Sequence, residues 1–535
     1  MNAGGTEGER SLIGRRQLIV GAAALTALAA CGDDGDGGRR SGSSTSTTAA
    51  TSLGPTTTRH AARLAGDPFG LGVASGDPRA DSVILWTRLA PTPRSEGDRS
   101  GMPADPVDIV WEVATDDRFR AVVAQGVATA EPDAGHSVHV DAGGLDPASD
   151  YHYRFTVGEW TSEVGRTRTL AAPGEVPARF ALAVANCQWI DSGRYAAYRG
   201  MLDEDLDLVL HLGDYVYEYP GARALPNRIP ETVDDWRLRY ASYRSDDDLR
   251  AAHARFPFVC TWDDHEVRNN HMGDTAPLGL TEDQVREAKT VAYRGWWENI
   301  PTRMPPPDGS DLPIFQHLDI GDLARLYVLD ERQDSDVPPC RDEVSDDYGD
   351  CDARTGSDRT RLGSEQEEWF ASATSSSTAA WNLVGNPVVL AGVDAGAADG
   401  ESAFYLDTWD GFPDARQRVI EALAGVDNPV VLTGDYHAGM VLDVHRTPFD
   451  VESDVVCTEL MAPPISSVLF PNDVSARTPQ LRQQLNEHGY LAVELTPDRM
   501  TARFQVVADV QDPASAVSTA ATWTIDPGSP RATEA

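Results

Sequence analysis

Positive charge is scarce in this sequence. Lys and Arg together number 45 against 84 Asp and Glu, a formal charge of −39 over 535 residues. A polyanion partner requires clustered basic side chains; no such run occurs, and nucleic acid is excluded as the partner. Long hydrophobic runs are missing beyond the first thirty residues, so no later segment can span a bilayer. Internal repeats are missing as well, which excludes a solenoid or propeller. Cysteine is sparse, with six in all, and the five beyond residue 31 can be read one by one. What remains is 41% apolar and 24% charged, an ordinary globular composition with enough chain for a large core.

The N-terminus carries an address. Arg15-Arg16 precedes the apolar segment QLIVGAAALTALAA, which is too short for a membrane span and has the basic-then-apolar order of an export signal. The arginine pair suggests the twin-arginine route, so residues 1–31 are read as a signal. LAAC ending at Cys31 resembles a lipoprotein box, which predicts a lipid anchor there as the sole membrane attachment; the alternative is a plain signal cut nearby. Residues 32–65 are rich in Gly, Ser, Thr and Asp and bury too little to fold, so a disordered linker is expected. The product is expected at the cell surface or secreted, and monomeric.

Residues 66–172 alternate apolar and polar positions between Gly, Pro and Asp turns, as in SVILWTRL and DYHYRFTVG. This pattern predicts an all-β sandwich of the immunoglobulin or fibronectin kind. From 178 to 512 the pattern changes: FALAVAN, DLVLHLGD, FVCTWDD, ARLYVLDE, AWNLVGNPVVL and NPVVLTGDYH are buried-strand candidates interleaved with helical stretches, an α/β domain. Ser364 with Glu367 three residues on predicts a capping box. Residues 513–535 are left as a C-terminal tail. Cys340 and Cys351 close an acidic loop and are expected to form a disulfide in an exported protein. Cys260 and Cys457 lie in apolar runs and are expected to be buried and structural.

Four strand candidates end on possible ligands: VANC on Cys187, HLGD on Asp214, TWDD on Asp263 and Asp264, and LTGDYH on Asp435 and His437. Ligands collect at the carboxyl ends of strands in α/β sheets. Singly, each has a plainer explanation, a turn aspartate or a structural histidine; four in one domain point to a site. Cys187, Asp214, Tyr217 and His437 form an anionic set of mixed softness that suits a trivalent ion such as iron. Asp264, Asn386 and Asp435 are all-oxygen donors that suit a hard divalent ion, with Asp214 placed to bridge. Two metals about four ångströms apart clamp a phosphate and generate a hydroxide nucleophile. His265, directly after Asp264, is a candidate general acid. Arg268, Asn269 and Asn270 are candidate phosphate contacts, with Asn270 an alternative ligand.

These motifs resemble a known family. VASGDP with DSVILWTRL resembles the N-terminal domain of the PhoD-like alkaline phosphatases. NCQ, HLGDYVYEY, WDDHEVRNN, LDERQ, DTWDGFPDARQRV and GDYHAG resemble that family's catalytic motifs in order, over residues 66 to about 510. The resemblance implies a four-layer α/β/β/α metallophosphoesterase sandwich. It implies Fe3+ held by Cys187, Asp214, Tyr217 and His437, and one or two Ca2+ sharing Asp214. For the calcium side it implies Asp264, Asn386 and Asp435, with Asn270 and Asp407 in competition, while Asp263, Asp330 and Arg332 are structural. The family pattern places an aromatic after the final histidine, where this chain has Met440, so the pocket rim is expected to differ. The implied activity is release of inorganic phosphate from small phosphate esters. The rival readings are a phosphodiesterase with phospholipase-D-like cleavage, and a surface lipoprotein that binds metal or ligand without turnover.

Overall fold

The computed structural model describes residues 64–97, 99–275, 280–340, 348–396, 400–470 and 472–535. The export signal, Cys31 and nearly all of the expected linker lie outside the described residues. Among those described, no helix is long and apolar enough to cross a membrane.

Two large sheets carry the structure. In the first, ten strands are ordered Thr533–Glu534, Val517–Ile525, Arg499–Val507, Gly489–Thr496, Phe180–Ala185, Leu208–Leu212, Pro257–Thr261, Val73–Gly76, Ser82–Arg88 and Ser137–Gly143. The pairings from Phe180–Ala185 to Val73–Gly76 are parallel. In the second, seven strands run Gln316–Ile320, Ala324–Val328, Trp381–Asn386, Pro429–Thr433, Val455–Met461, Gly439–His445 and Leu481–Leu485, again with a parallel centre. The apolar runs of the sequence form these central strands because parallel strands are covered on both faces.

The period of two sorts each strand between two cores. Leu208, Leu210 and Leu212 share one cluster with Leu326, Leu383, Val430 and Leu460 of the second sheet. Val209 instead joins Tyr198, Trp236, Tyr240 and Trp296, which come from helices. On the second sheet Val384 and Val431 join Phe370 and Val419 of the helices Gly363–Ser375 and Pro413–Leu423. Thr232 and Thr281 begin the helices Val233–Arg244 and Glu282–Asn299 with capping boxes closed by Asp235 and Gln284.

Three sequence expectations change here. The helix over Gly363–Ser375 is not capped by Ser364. Thr360, outside the helix, accepts from the Gly363 amide at 2.9 Å and donates to Glu367 Oε1 at 2.6 Å; the local S-x-x-E pattern selects the wrong hydroxyl. Residues 513–535 are no tail. They form the outer strands of the ten-stranded sheet, with Trp523 and Ile525 buried against the inter-sheet core. Third, the boundary near residue 172 does not break the sheet. Val73–Gly76 pairs in parallel with Pro257–Thr261, while Val107–Ala114, Val122–Ala130, Asp150–Val157, Trp160–Thr161 and Gly165–Arg168 form a separate five-stranded sheet. At Gly76 a Cβ would lie 2.1 Å from the Pro301 carbonyl oxygen and 2.6 Å from that of Phe258, so a larger residue would pry the joint open.

Cys340 and Cys351 are disulfide-bonded, and Cys260 and Cys457 are buried and free, both as expected. Trp523→Ala should cost about 3–5 kcal/mol, the range for deleting a buried aromatic. Denaturant unfolding reads this directly; a loss below about 1 kcal/mol would return the segment to the status of a tail.

Candidate metal centre and active site

The ligand candidates sit where strands stop. Cys187 follows Phe180–Ala185, Asp214 follows Leu208–Leu212, Asp264 follows Pro257–Thr261, and Asp435 and His437 follow Pro429–Thr433. Four of the five leave the strand in left-handed backbone, with φ of 51° at Cys187, 57° at Asp214, 64° at Asp435 and 53° at His437. Such conformations cost about 1–3 kcal/mol each and persist only where the surroundings impose them. Here the Cys187 amide donates to Gly213 O at 3.2 Å and the Gln188 amide to Asp214 O at 3.0 Å. The Ser466 and Ser467 amides donate to Cys187 O. Gly213 has φ of 103°, and a Cβ there would lie 2.4 Å from the Asp263 amide nitrogen, so glycine lets the two acid-bearing turns meet.

Cys187, Asp214 and His437 each present one ligand atom, all within 4.8 Å of one another. Tyr217 joins them: its hydroxyl donates to Asp214 Oδ2 at 2.6 Å and lies 3.3 Å from His437 Nε2. Ser467 donates to the same phenol oxygen at 2.7 Å. His437 Nδ1 lies 2.6 Å from the Val468 carbonyl oxygen, which leaves Nε2 turned to the cluster.

Asp214 also belongs to a second group, with Asp264 and His265. His265 Nδ1 is 2.7 Å from Glu218 Oε2, while its Nε2 is 4.0 Å from Asp264 Oδ1. Asp264 Oδ2 accepts from the Asn270 amide at 2.5 Å. A cavity of about 330 Å³ opens over these groups, lined by Asp214, Asp264, His265, Asn269, Asn270, Asp435 and His437 and by Tyr405, Tyr436 and Val468 to Phe470.

Comparison with known proteins shows the family. Residues 182–504 match the family model described as PhoD-like phosphatase, and residues 54–171 match that of its N-terminal domain. The chain belongs to the PhoD-like phosphatase family. It is 39% identical over 495 residues to alkaline phosphatase D of Bacillus subtilis (strain 168), covering 88% of this chain and 83% of that protein. A solved structure of PhoD superposes with a TM-score of 0.83 at 36% identity, covering 88% of this chain and 93% of the other.

Two residues expected at this cavity are placed elsewhere. Arg268 turns its guanidinium to the carbonyls of Val267 and Pro230 at 2.8 and 2.9 Å and does not line the cavity. Its backbone follows the turn begun at Asp264, which carries the side chain outward. Asn386 is buried behind the cavity, donating to the Val388 carbonyl and accepting from Trp409 Nε1 at 3.2 Å. Asn270, with φ of 54°, lines the cavity instead. Met440 is buried within Gly439–His445 and forms no rim; the aromatics there are Tyr405, Tyr436 and Phe470. Ser467 and Tyr405 lay in no motif, and Glu218, inside HLGDYVYEY, was assigned no role. Only the register that sets Glu218 beside Tyr217 in HLGDYVYEY hinted at one of them.

Asp263 and Asp407 lie behind this array, bridged by the fully buried Arg332 at 2.5 and 2.7 Å. Burial, with the charges of Asp214 and Asp435, holds the Cys187 thiol well above its usual range. Burial likewise raises Asp435, and Asp263 adds to it. Asp214 Oδ1 and Asp435 Oδ2 are buried without a hydrogen-bond partner. An orphaned buried carboxylate oxygen is costly, and Asp214, which carries one and belongs to both groups of possible ligands, would be satisfied by a cation, so the residues present fit a metal.

Burial also pushes Glu266 and Glu331 up from 4.5 to about 7. Raised carboxyls mean the folded state keeps protons that the unfolded chain has released between those values. The contribution of these two carboxyls to the stability of chelator-treated protein should therefore be fullest below about pH 4.5 and be lost as pH rises through about 7. Between pH 5 and pH 8 the melting temperature of wild type should fall relative to that of Glu331→Gln. Identical profiles for the two proteins would contradict the assignment.

Proposed function

We propose that this chain, a phosphatase by family, hydrolyses small phosphate esters in the cavity bordered by Asp214, Asp264, His265, Asn270, Asp435 and His437. The observation that carries the reading is Asp214. It belongs to both groups of possible metal ligands, with one oxygen on Tyr217 and the other buried and unpartnered. Cys187, Asp214, Tyr217 and His437 would hold ferric iron, since thiolate and phenolate favour a soft-tolerant, highly charged ion. Asp214, Asp264 and Asp435 would hold calcium, with Asn270 better placed to assist than Asn386. When bound, such a pair lowers the pKa of water and neutralises phosphoryl charge.

The chain's own groups complete the chemistry. Although burial opposes it, the carboxylates of Asp264, Glu218 and Asp214 hold the His265 imidazolium well above its ordinary range. With Nδ1 anchored on Glu218, Nε2 is the atom that presents a proton to the leaving oxygen. The Asn269 amide donates to Glu218 Oε1 at 2.8 Å, and the Tyr219 hydroxyl to Asn269 Oδ1 at 2.9 Å. The loop that carries both asparagines is thereby held over the cavity.

We read the two sheets as the inner layers of an α/β/β/α sandwich, a reading supported by the three clusters of core residues. We read the segment up to residue 172 as an N-terminal β-rich part joined to the rest through the ten-stranded sheet, a reading supported by the cluster around Leu85, Ile109 and Phe155, which also takes in Ala254. Export through the twin-arginine route, with attachment at Cys31, is supported by Arg15-Arg16 and LAAC.

Asp214→Asn should lower metal content and abolish turnover together. Natively loaded enzyme is assayed for iron and calcium by elemental analysis and for phosphate release; wild-type values for both would sink the site. His265→Ala should keep its metals and lose about 10²–10⁴-fold in rate, the usual worth of a positioned acid. The loss should be greatest on esters of weakly acidic alcohols. Equal losses on good and poor leaving groups would remove His265 from the role of acid.

A further inference from the structure

One wall of the cavity is apolar. Val468, Leu469 and Phe470 line it opposite the charged groups, and Val468, at 60% exposure, is the most exposed large apolar side chain among the described residues. Single exposed valines are common and mean little. This one differs because its backbone is clamped to a candidate ligand from both sides. The Val468 carbonyl takes His437 Nδ1 at 2.6 Å, and the Phe470 amide donates to the His437 carbonyl at 3.1 Å. The Phe470 ring packs on Tyr436 with centroids 4.5 Å apart. The wall is therefore held at a fixed place beside His437. Among the described lining residues there is no Lys or Arg to receive a second anionic group.

We propose that the segment from Val468 to Phe470 is the leaving-group wall of the cavity, and that it selects phosphate esters of aromatic or otherwise apolar alcohols over those of small or hydroxylated ones. The inference rests on the cavity being the phosphatase site. An apolar group placed against Val468 and Phe470 leaves water while the phosphoryl group stays with the polar residues. Discrimination of this kind is worth about tenfold or more per ring-sized group.

The test compares kcat/KM for naphthylmethyl phosphate and ethyl phosphate, whose alcohols are similarly poor leaving groups, on natively loaded enzyme. The wild-type ratio should favour the naphthylmethyl ester by about tenfold or more. Val468→Ser and Phe470→Ala should each lower that ratio at least about threefold, with iron and calcium content retained. Inhibition constants for the matching phosphonates should move in parallel, because the wall acts in binding. A wild-type ratio within about twofold of unity, or a ratio untouched by both variants, would overturn the proposal while leaving the site intact. Turnover of neither ester would overturn the catalytic reading beneath it. Should Phe470→Ala fail to fold, the solvent-facing Val468→Ser carries the test alone.

Discussion

Like charge, gathered and buried, is the constraint on which this structure depends. Asp214, Asp263, Asp264 and Asp407 are buried near one another, with the half-buried Asp435 beside them, and their mutual repulsion is little screened away from water. Arg332 answers part of it, spanning Asp263 and Asp407 with no exposure of its own. His265 answers another part, and with Arg332 it draws Asp264 below its usual range despite burial. Asp214 and Asp435 remain, each with an oxygen that nothing satisfies. That deficit is the electrostatic ground for the proposed metal site.

Such an assembly requires a scaffold that will not relax. The ligands come from both large sheets, Cys187, Asp214 and Asp264 from the ten-stranded one and Asp435 and His437 from the seven-stranded one. Their relative position is therefore set by the leucine-rich core between the sheets, whose packing tolerates little change in volume. The left-handed turns at four ligands store strain that the same core sustains. A softer interface would let the carboxylates move apart, relieving repulsion and losing the site.

Much of this was legible in sequence, because strand ends in an α/β sheet are marked twice, by a buried apolar run and by the polar residue that stops it. That rule selects Cys187, Asp214, Asp264, Asp435 and His437; in the structure Cys187, Asp214 and His437 form one group, Asp214 and Asp264 belong to another, and Asp435 lines the cavity beside them. Arg268 and Asn386 were not placed correctly, since a motif gives proximity in the chain and says nothing of side-chain direction. Arg268 sits three residues from the cavity-lining His265 and faces the Pro230 carbonyl. Asn386 ends a strand as the ligands do, yet Val388 and Trp409 occupy its carboxamide. The C-terminal strands were missed because Val517–Ile525 is polar along most of one face and mimics a tail; its pairing with Arg499–Val507 is what buries Trp523. Glu218 and Ser467 act on other side chains, and such roles leave no periodic or spacing signal.

The two histidines show how far partners outweigh residue type. Both are tied through Nδ1 and both turn Nε2 inward. For His437 the partner is the Val468 carbonyl, which only accepts, so Nδ1 carries the hydrogen and Nε2 keeps a lone pair. Burial, with the nearby His265 charge, lowers this group to about 4, so it stays neutral and able to ligate. For His265 the partner is the Glu218 carboxylate, and with Asp264 and Asp214 close by the ring holds its second proton despite burial. On the proposed reading, one imidazole is thus kept neutral for metal and the other protonated for substrate within one cavity. Of the carboxylates, Asp264 raises His265 most and Glu218 next. Glu218 lies within HLGDYVYEY and Asp264 within WDDHEVRNN, while Val468 lies in neither.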